Sequence, residues 1–142
     1  QLLPILGEIV DISDRAFFHC SGFSGSLTIP ESVQYLGENC FSYATGFDGD
    51  LIINANVQTI DSTMFSGTNF KGSLTIGPNV ITIGSRAFDS LASFKGNLSI
   101  GSNIKTIKTM AFYGNNFVKS LIIPSTITSI GPQAFANCKS IE

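Results

Sequence analysis

The apolar positions of this chain recur with a period close to 24 residues. Six leucines (Leu3, Leu27, Leu51, Leu74, Leu98 and Leu121) each stand two residues before an isoleucine, and successive starts are 24, 24, 23, 24 and 23 residues apart. Four residues beyond that isoleucine the chain is aliphatic again, at Ile9, Val33, Val57, Val80, Ile104 and Ile127. Three residues later come Ile12, Leu36, Ile60, Ile83, Ile107 and Ile130. Five more bring a phenylalanine every time: Phe17, Phe41, Phe65, Phe88, Phe112 and Phe135. A second aromatic column runs through Phe23, Phe47, Phe70, Phe94 and Phe117. Phe18 is the one phenylalanine of twelve outside these columns, so packing explains the aromatic content without a stacking surface for bases or sugars.

A unit this short cannot hide its own apolar face, and only stacking on neighbouring units buries it. The Leu-x-Ile segment alternates in, out, in, which predicts a strand. Neighbouring units then lay these strands side by side as a parallel ladder about 4.8 Å apart. The aliphatic pair that follows predicts a second, shorter extended stretch. The third segment, written GSRAF or GPQAF, predicts a turn followed by a helical turn or short helix. The expected fold class is therefore an α/β solenoid: about six repeats of 23–24 residues, a parallel strand ladder, short helical turns and loops. Ala16, Cys40, Ala87, Ala111 and Ala134 precede the core phenylalanine and predict close approach of the layers. Met64 is the bulkiest residue at that phase and marks where regularity is expected to break.

A length of 142 residues suits one domain, expected over 1–142. End units without a polar cap predict a piece of a longer array, flanked by neighbouring repeats or domains. The formal net charge is -2, which gives no reason to expect a nucleic-acid partner. No apolar run is long enough to span a bilayer, so this segment is not expected to insert in a membrane. Lys71, Lys95 and Lys119 occupy bends at related phases and are expected to form one basic edge, either solvated or a contact surface for an acidic partner.

Chemistry is sparse. Cys20, Cys40 and Cys138 lie far apart without metal-ligand spacing and are expected as free, mostly buried thiols, with a bridge between two of them as the alternative. His19 is the sole histidine, expected as a solitary turn residue. The segments GSNIKT and GPNVIT lack the order of a phosphate-binding loop. Asp48 and Asp50 flank Gly49 in a solvated bend, and the remaining carboxylates are scattered. No enzyme, metal site or cofactor is expected.

The outward residues of the strand ladder carry more information. Between the leucine and isoleucine of each unit stand Pro4, Thr28, Ile52, Thr75, Ser99 and Ile122, and just before the leucine stand Ser26, Asp50, Ser73, Asn97 and Ser120. This face is small, mostly hydroxylic and nearly uncharged, which suits a broad contact with another macromolecule. Thr28, Ile52, Ser73, Thr75, Asn97, Ser99 and Ile122 form the candidate interaction surface. Ile52 and Ile122 are either contact anchors or simple strand formers. Asn97-Leu98-Ser99 is a glycosylation sequon, usable only if Asn97 points outward.

The columns LTIPESVQYLGENCF, LTIGPNVITIGSRAF and LIIPSTITSIGPQAF resemble the BspA-like leucine-rich repeat family. That family's pattern looks like a leucine, an IP pair, a Val or Ile spaced toward an IG pair, then AF and often a cysteine. Cys20 and Cys138 match the trailing cysteine, and the other units lack it. The resemblance covers essentially the whole chain. It implies a right-handed, curved or flattened leucine-rich-repeat solenoid, in a cell-surface or secreted protein of a mucosal bacterium or a parasitic protist. The function it implies is a non-catalytic interaction or adhesion module that binds host, matrix or microbial macromolecules through its repeat surface. The alternative is a structural spacer that presents other domains of a surface protein.

Overall fold

A computed structural model describes residues 8–117 and 121–139. The chain winds as stacked coils, and the second to fifth coils each give two short strands in chain order. They are β1 (Asp11–Ile12), β2 (Leu27–Ile29), β3 (Tyr35–Leu36), β4 (Leu51–Ile53), β5 (Thr59–Ile60), β6 (Leu74–Ile76), β7 (Thr82–Ile83), β8 (Leu98–Ser99), β9 (Thr106–Ile107) and β10 (Ser129–Ile130). The Leu-x-Ile strands make one parallel sheet, ordered β2-β4-β6-β8, with Leu27, Leu51, Leu74 and Leu98 in register. The second strands make another ladder, β5-β7-β9-β10, preceded by the pair β1-β3. Leu3, Pro4, Ile5, Lys119 and Ser120 lie outside the described residues, and 121–123 forms no strand.

Both strand sets point their aliphatic residues inward. Leu27, Ile29, Leu51, Ile53 and Leu74 are fully or almost fully buried, as are Ile60, Ile83 and Ile107 of the second ladder. The aromatic columns pack into the same core. Phe17, Phe41, Phe65, Phe88, Phe112 and Phe135 form a single file of nearly parallel rings with centroids 5.0 to 5.4 Å apart. Phe23, Phe47, Phe70, Phe94 and Phe117 run beside it at 5.4 to 6.1 Å, and Phe41–Phe47 and Phe112–Phe117 meet edge to face. The coil spacing thus suits both strand pairing and ring stacking.

The expected short helices are absent: no described residue is helical, and the fold is a β-solenoid rather than an α/β one. Hydrogen bonding in the third segment shows why. Ala16, Phe18 and Cys20 donate three residues back, to Ser13, Arg15 and Phe17. The residues between them donate out of the coil: Arg15 N–H to Glu38 O (2.9 Å), Phe17 to Cys40 O (2.8 Å) and His19 to Ser42 O (3.1 Å). A helix sends every N–H four residues back along its own chain. Here every second donor joins the next coil, leaving a run of overlapping turns. Positive φ at Arg15 (56°) and His19 (56°) also breaks any helical path.

Among the described residues, a gap interrupts the second ladder and the third segment between the second and third coils, while β2 and β4 stay paired there. Phe65, Phe88 and Phe112 each donate to the small residue of the next coil, at 2.9, 2.9 and 2.8 Å, but no such bond joins Phe41 to Met64. At the same level β3 and β5 are unpaired, and Asn56 N–H bonds to Val33 O at 2.7 Å instead. Met64 is fully buried at the phase its counterparts fill with Ala or Cys, and the gap falls at this bulkier residue.

Candidate interaction surface

Thr28, Ile52, Thr75 and Ser99 stand on successive rungs of the β2-β4-β6-β8 sheet, paired in register. Their neighbours along each strand point into the core, so strand alternation turns these four outward. Thr28, Ile52 and Thr75 are partly exposed and Ser99 is exposed. Ile122 is 79% exposed, but it lies where no strand forms and therefore outside this row.

The residues preceding the leucines are tied into the stack. Ser26 Oγ accepts the N–H of Asp50 (2.9 Å), Asp50 Oδ1 that of Ser73 (2.7 Å), and Ser73 Oγ that of Asn97 (3.0 Å). One side-chain oxygen per coil thus caps a backbone donor of the next. A glycine sits one residue earlier because this oxygen fills the space: a Cβ on Gly49 or Gly96 would collide with Ser26 Oγ or Ser73 Oγ. Ser73 is therefore half committed to the backbone, and Asn97 is exposed. Lys71 and Lys95 are exposed along the same edge, and Lys71 Nζ lies 3.8 Å from Asp48 Oδ2. Beside Thr28 the rim opens into a shallow groove of about 540 Å³, lined by Pro30, Glu31, Ser32, Asn54 and Pro78.

A second exposed cluster lies apart from the strand row. The His19 ring stacks on Tyr43 with centroids 4.9 Å apart and planes 12° from parallel. Phe18 stands edge-on to both, and the Arg15 guanidinium carbon lies 5.6 Å from its ring centre. Phe18 and Tyr43 are 38% and 46% exposed. His19 is therefore one member of an aromatic group. The signal in the sequence was Phe18, the phenylalanine off the core columns, and the same phase of His19 and Tyr43 in successive units.

The three cysteines are free thiols. Burial pushes the Cys40 thiol up to about 12 and raises that of the half-buried Cys138. Among the described residues, no group of His, Cys, Asp or Glu is placed to hold a metal ion, and no helix is long and apolar enough to cross a membrane. No described acid, base and nucleophile converge on the open strand row.

Stacked coils, two parallel ladders and an aligned aromatic core define a repeat β-solenoid with broad open faces. The chain belongs to the BspA type leucine-rich repeat family: the model of the BspA type leucine rich repeat region matches six copies over residues 10–142. Its fold is similar to the crystal structure of a leucine rich cell surface protein from Faecalibacterium prausnitzii A2-165, with a TM-score of 0.65 and 20% identity over 94% of this chain and 42% of that one. At that identity the likeness concerns the fold, and this chain spans less than half of that protein's length. No curated protein matches the chain.

Proposed function

We propose that this chain is a non-catalytic interaction module of a cell-surface or secreted protein, a repeat segment of a longer array that adheres to host, matrix or microbial macromolecules. The family and the cell-surface protein of like fold support the setting. The observation that carries the contact surface is the outward row Thr28, Ile52, Thr75 and Ser99, in register and uncharged. Its edge is held by the side-chain-to-backbone ladder through Ser26, Asp50 and Ser73. A face already ordered by its own fold loses little conformational freedom on binding.

The test is surface plasmon resonance of the chain over immobilised matrix proteins and whole-cell surface extracts. Saturable binding is expected, and a Thr75→Lys/Ser99→Lys variant with an unchanged circular dichroism spectrum should bind at least about tenfold more weakly. Absence of saturable binding across the panel would favour the spacer reading. Unchanged affinity in the variant removes the strand row, and loss of binding in Tyr43→Ala alone would move the contact to the aromatic cluster.

A further inference from the structure

The small net charge conceals a segregation. Residues 1–69 carry eight carboxylates and one basic residue, Arg15, whereas residues 70–142 carry seven lysines and arginines and two carboxylates, Asp89 and Glu142. The coils stack in chain order, as the strand pairing requires, so these two stretches are the earlier and the later coils of the stack. The molecule is an axial dipole, acidic at the first coils and basic at the last.

The segregation shapes the face formed by the second strands. Its outward row runs Asp11, Tyr35, Thr59, Thr82, Thr106 and Ser129. At the acidic end Asp14 and Glu38 flank this row, and Asp14 Oδ1 accepts the Glu38 N–H (2.9 Å) and the Tyr35 hydroxyl (3.4 Å). The negative field there is strong enough to hold the exposed Tyr35 phenol above its ordinary range, with Asp14 the largest cause and Asp11 and Glu38 adding to it. At the other end Lys105 and Lys108 flank β9, and both are exposed. Among the described residues, the ion pairs are Lys71–Asp48 and Arg86–Asp89, and neither draws on these groups. The middle of the row is threonine.

We propose that this face pairs with the same face of a second copy, turned end for end, so that Asp11, Asp14 and Glu38 of each copy lie toward Lys105 and Lys108 of the other. A two-fold axis is the operation that sets acid against base at both ends, and it closes the assembly as a dimer. Parallel pairing would set like on like. The uncharged threonines of β5 and β7 let the centres of the two faces approach. Six coils at about 4.8 Å give a face only about 25–30 Å long, well short of a large apolar interface. Charge therefore has to supply the attraction, and the pairing must be weak and salt-sensitive. It uses a different face from the proposed adhesion surface, so the two readings fail independently.

Sedimentation equilibrium of the chain at several concentrations tests the proposal. The expected mass rises toward twice the monomer at about 20 mM salt and returns to the monomer at about 500 mM, where the Debye length falls from about 20 Å to about 4 Å. Lys105→Glu/Lys108→Glu and Asp11→Lys/Glu38→Lys variants should each remain monomeric at low salt, and an equimolar mixture of the two should recover the dimer. Both pairs sit on exposed side chains, and the salt titration of the unaltered chain is a readout that needs neither variant. A monomer at low salt, a dimer insensitive to either reversal, or a mixture that stays monomeric overturns the proposal. Mass that grows beyond the dimer with concentration overturns the closed pairing in favour of end-to-end stacking.

Discussion

Arg15, Asn39, Thr63, Arg86, Met110 and Gln133 occupy one phase, two residues before the core phenylalanine, and all have φ between 54° and 59°. His19, Tyr43, Gly67, Ser90, Gly114 and Asn137 occupy a second phase, two residues after it, again with positive φ. Each left-handed residue other than glycine costs about 1–2 kcal/mol, somewhat less for asparagine. That cost is offset at Arg15, Thr63, Arg86 and Met110, and at the second phase from His19 to Gly114, because these residues donate their N–H to the next coil while the turn closes behind them. The second phase offers a controlled comparison. Gly67 has φ +67° with the Tyr43 ring 2.5 Å from where a Cβ would sit, while Gly114 has φ +72° and nothing nearer than 3.9 Å. Gly114→Ala is expected to destabilise by about 1 kcal/mol from backbone strain alone. Gly67→Ala should cost more in urea denaturation, and the excess should vanish in a Tyr43→Ala background. Equal costs for the two glycines would mean that the ring yields freely. No local pattern announces these conformations, since arginine, threonine and methionine are poor candidates for positive φ.

Elements in this fold are short because each needs the coil beside it more than its own length. The strands are two or three residues long, and isolated they would have no stability. The periodicity made the Leu-x-Ile strands and their register legible, but it also suggested helices in segments such as GSRAF. Small, apolar-patterned residues there satisfy either reading until the N–H groups are followed to their acceptors. Glycine after the second strand shows the same dependence on neighbours. A Cβ on Gly84 would lie 2.7 Å from Ile60 O, Asp61 C and Ser62 N, all backbone of the preceding coil. Gly84→Ala is therefore expected to force β5 and β7 apart and to cost about 1–3 kcal/mol, read as a lowered denaturation midpoint. A cost near zero would show that the coils can separate locally without strain. The candidate strand row was legible as well, because outward positions follow from alternation. Ile122 left that row because 121–123 makes no strand, and its sequence is no different in kind from LII at Leu51–Ile53.

For the whole molecule, stability is a sum over neighbouring layers. Phe88 lies 5.3 Å from Phe65 and 5.2 Å from Phe112 and is fully buried. Phe88→Ala is expected to cost about 3–5 kcal/mol. Hydrogen exchange should place the loss of protection in the coils of Phe65, Phe88 and Phe112, with the coil of Phe41 less affected across the bonding gap at Met64. Uniform loss over every coil would instead mark a single cooperative unit. The sequence by itself determined the stack: apolar residues recurring every 23–24 positions can be buried only by coils lying on one another, and that requirement is set by composition and spacing. It determined the strand phases and the single file of rings for the same reason. Only the tertiary structure decided how the third segment is built, because the acceptor for every second N–H lies a full coil away in the chain. It alone gathered Phe18, His19 and Tyr43 at the surface, since the left-handed turns that bring them together are stabilised by bonds between coils.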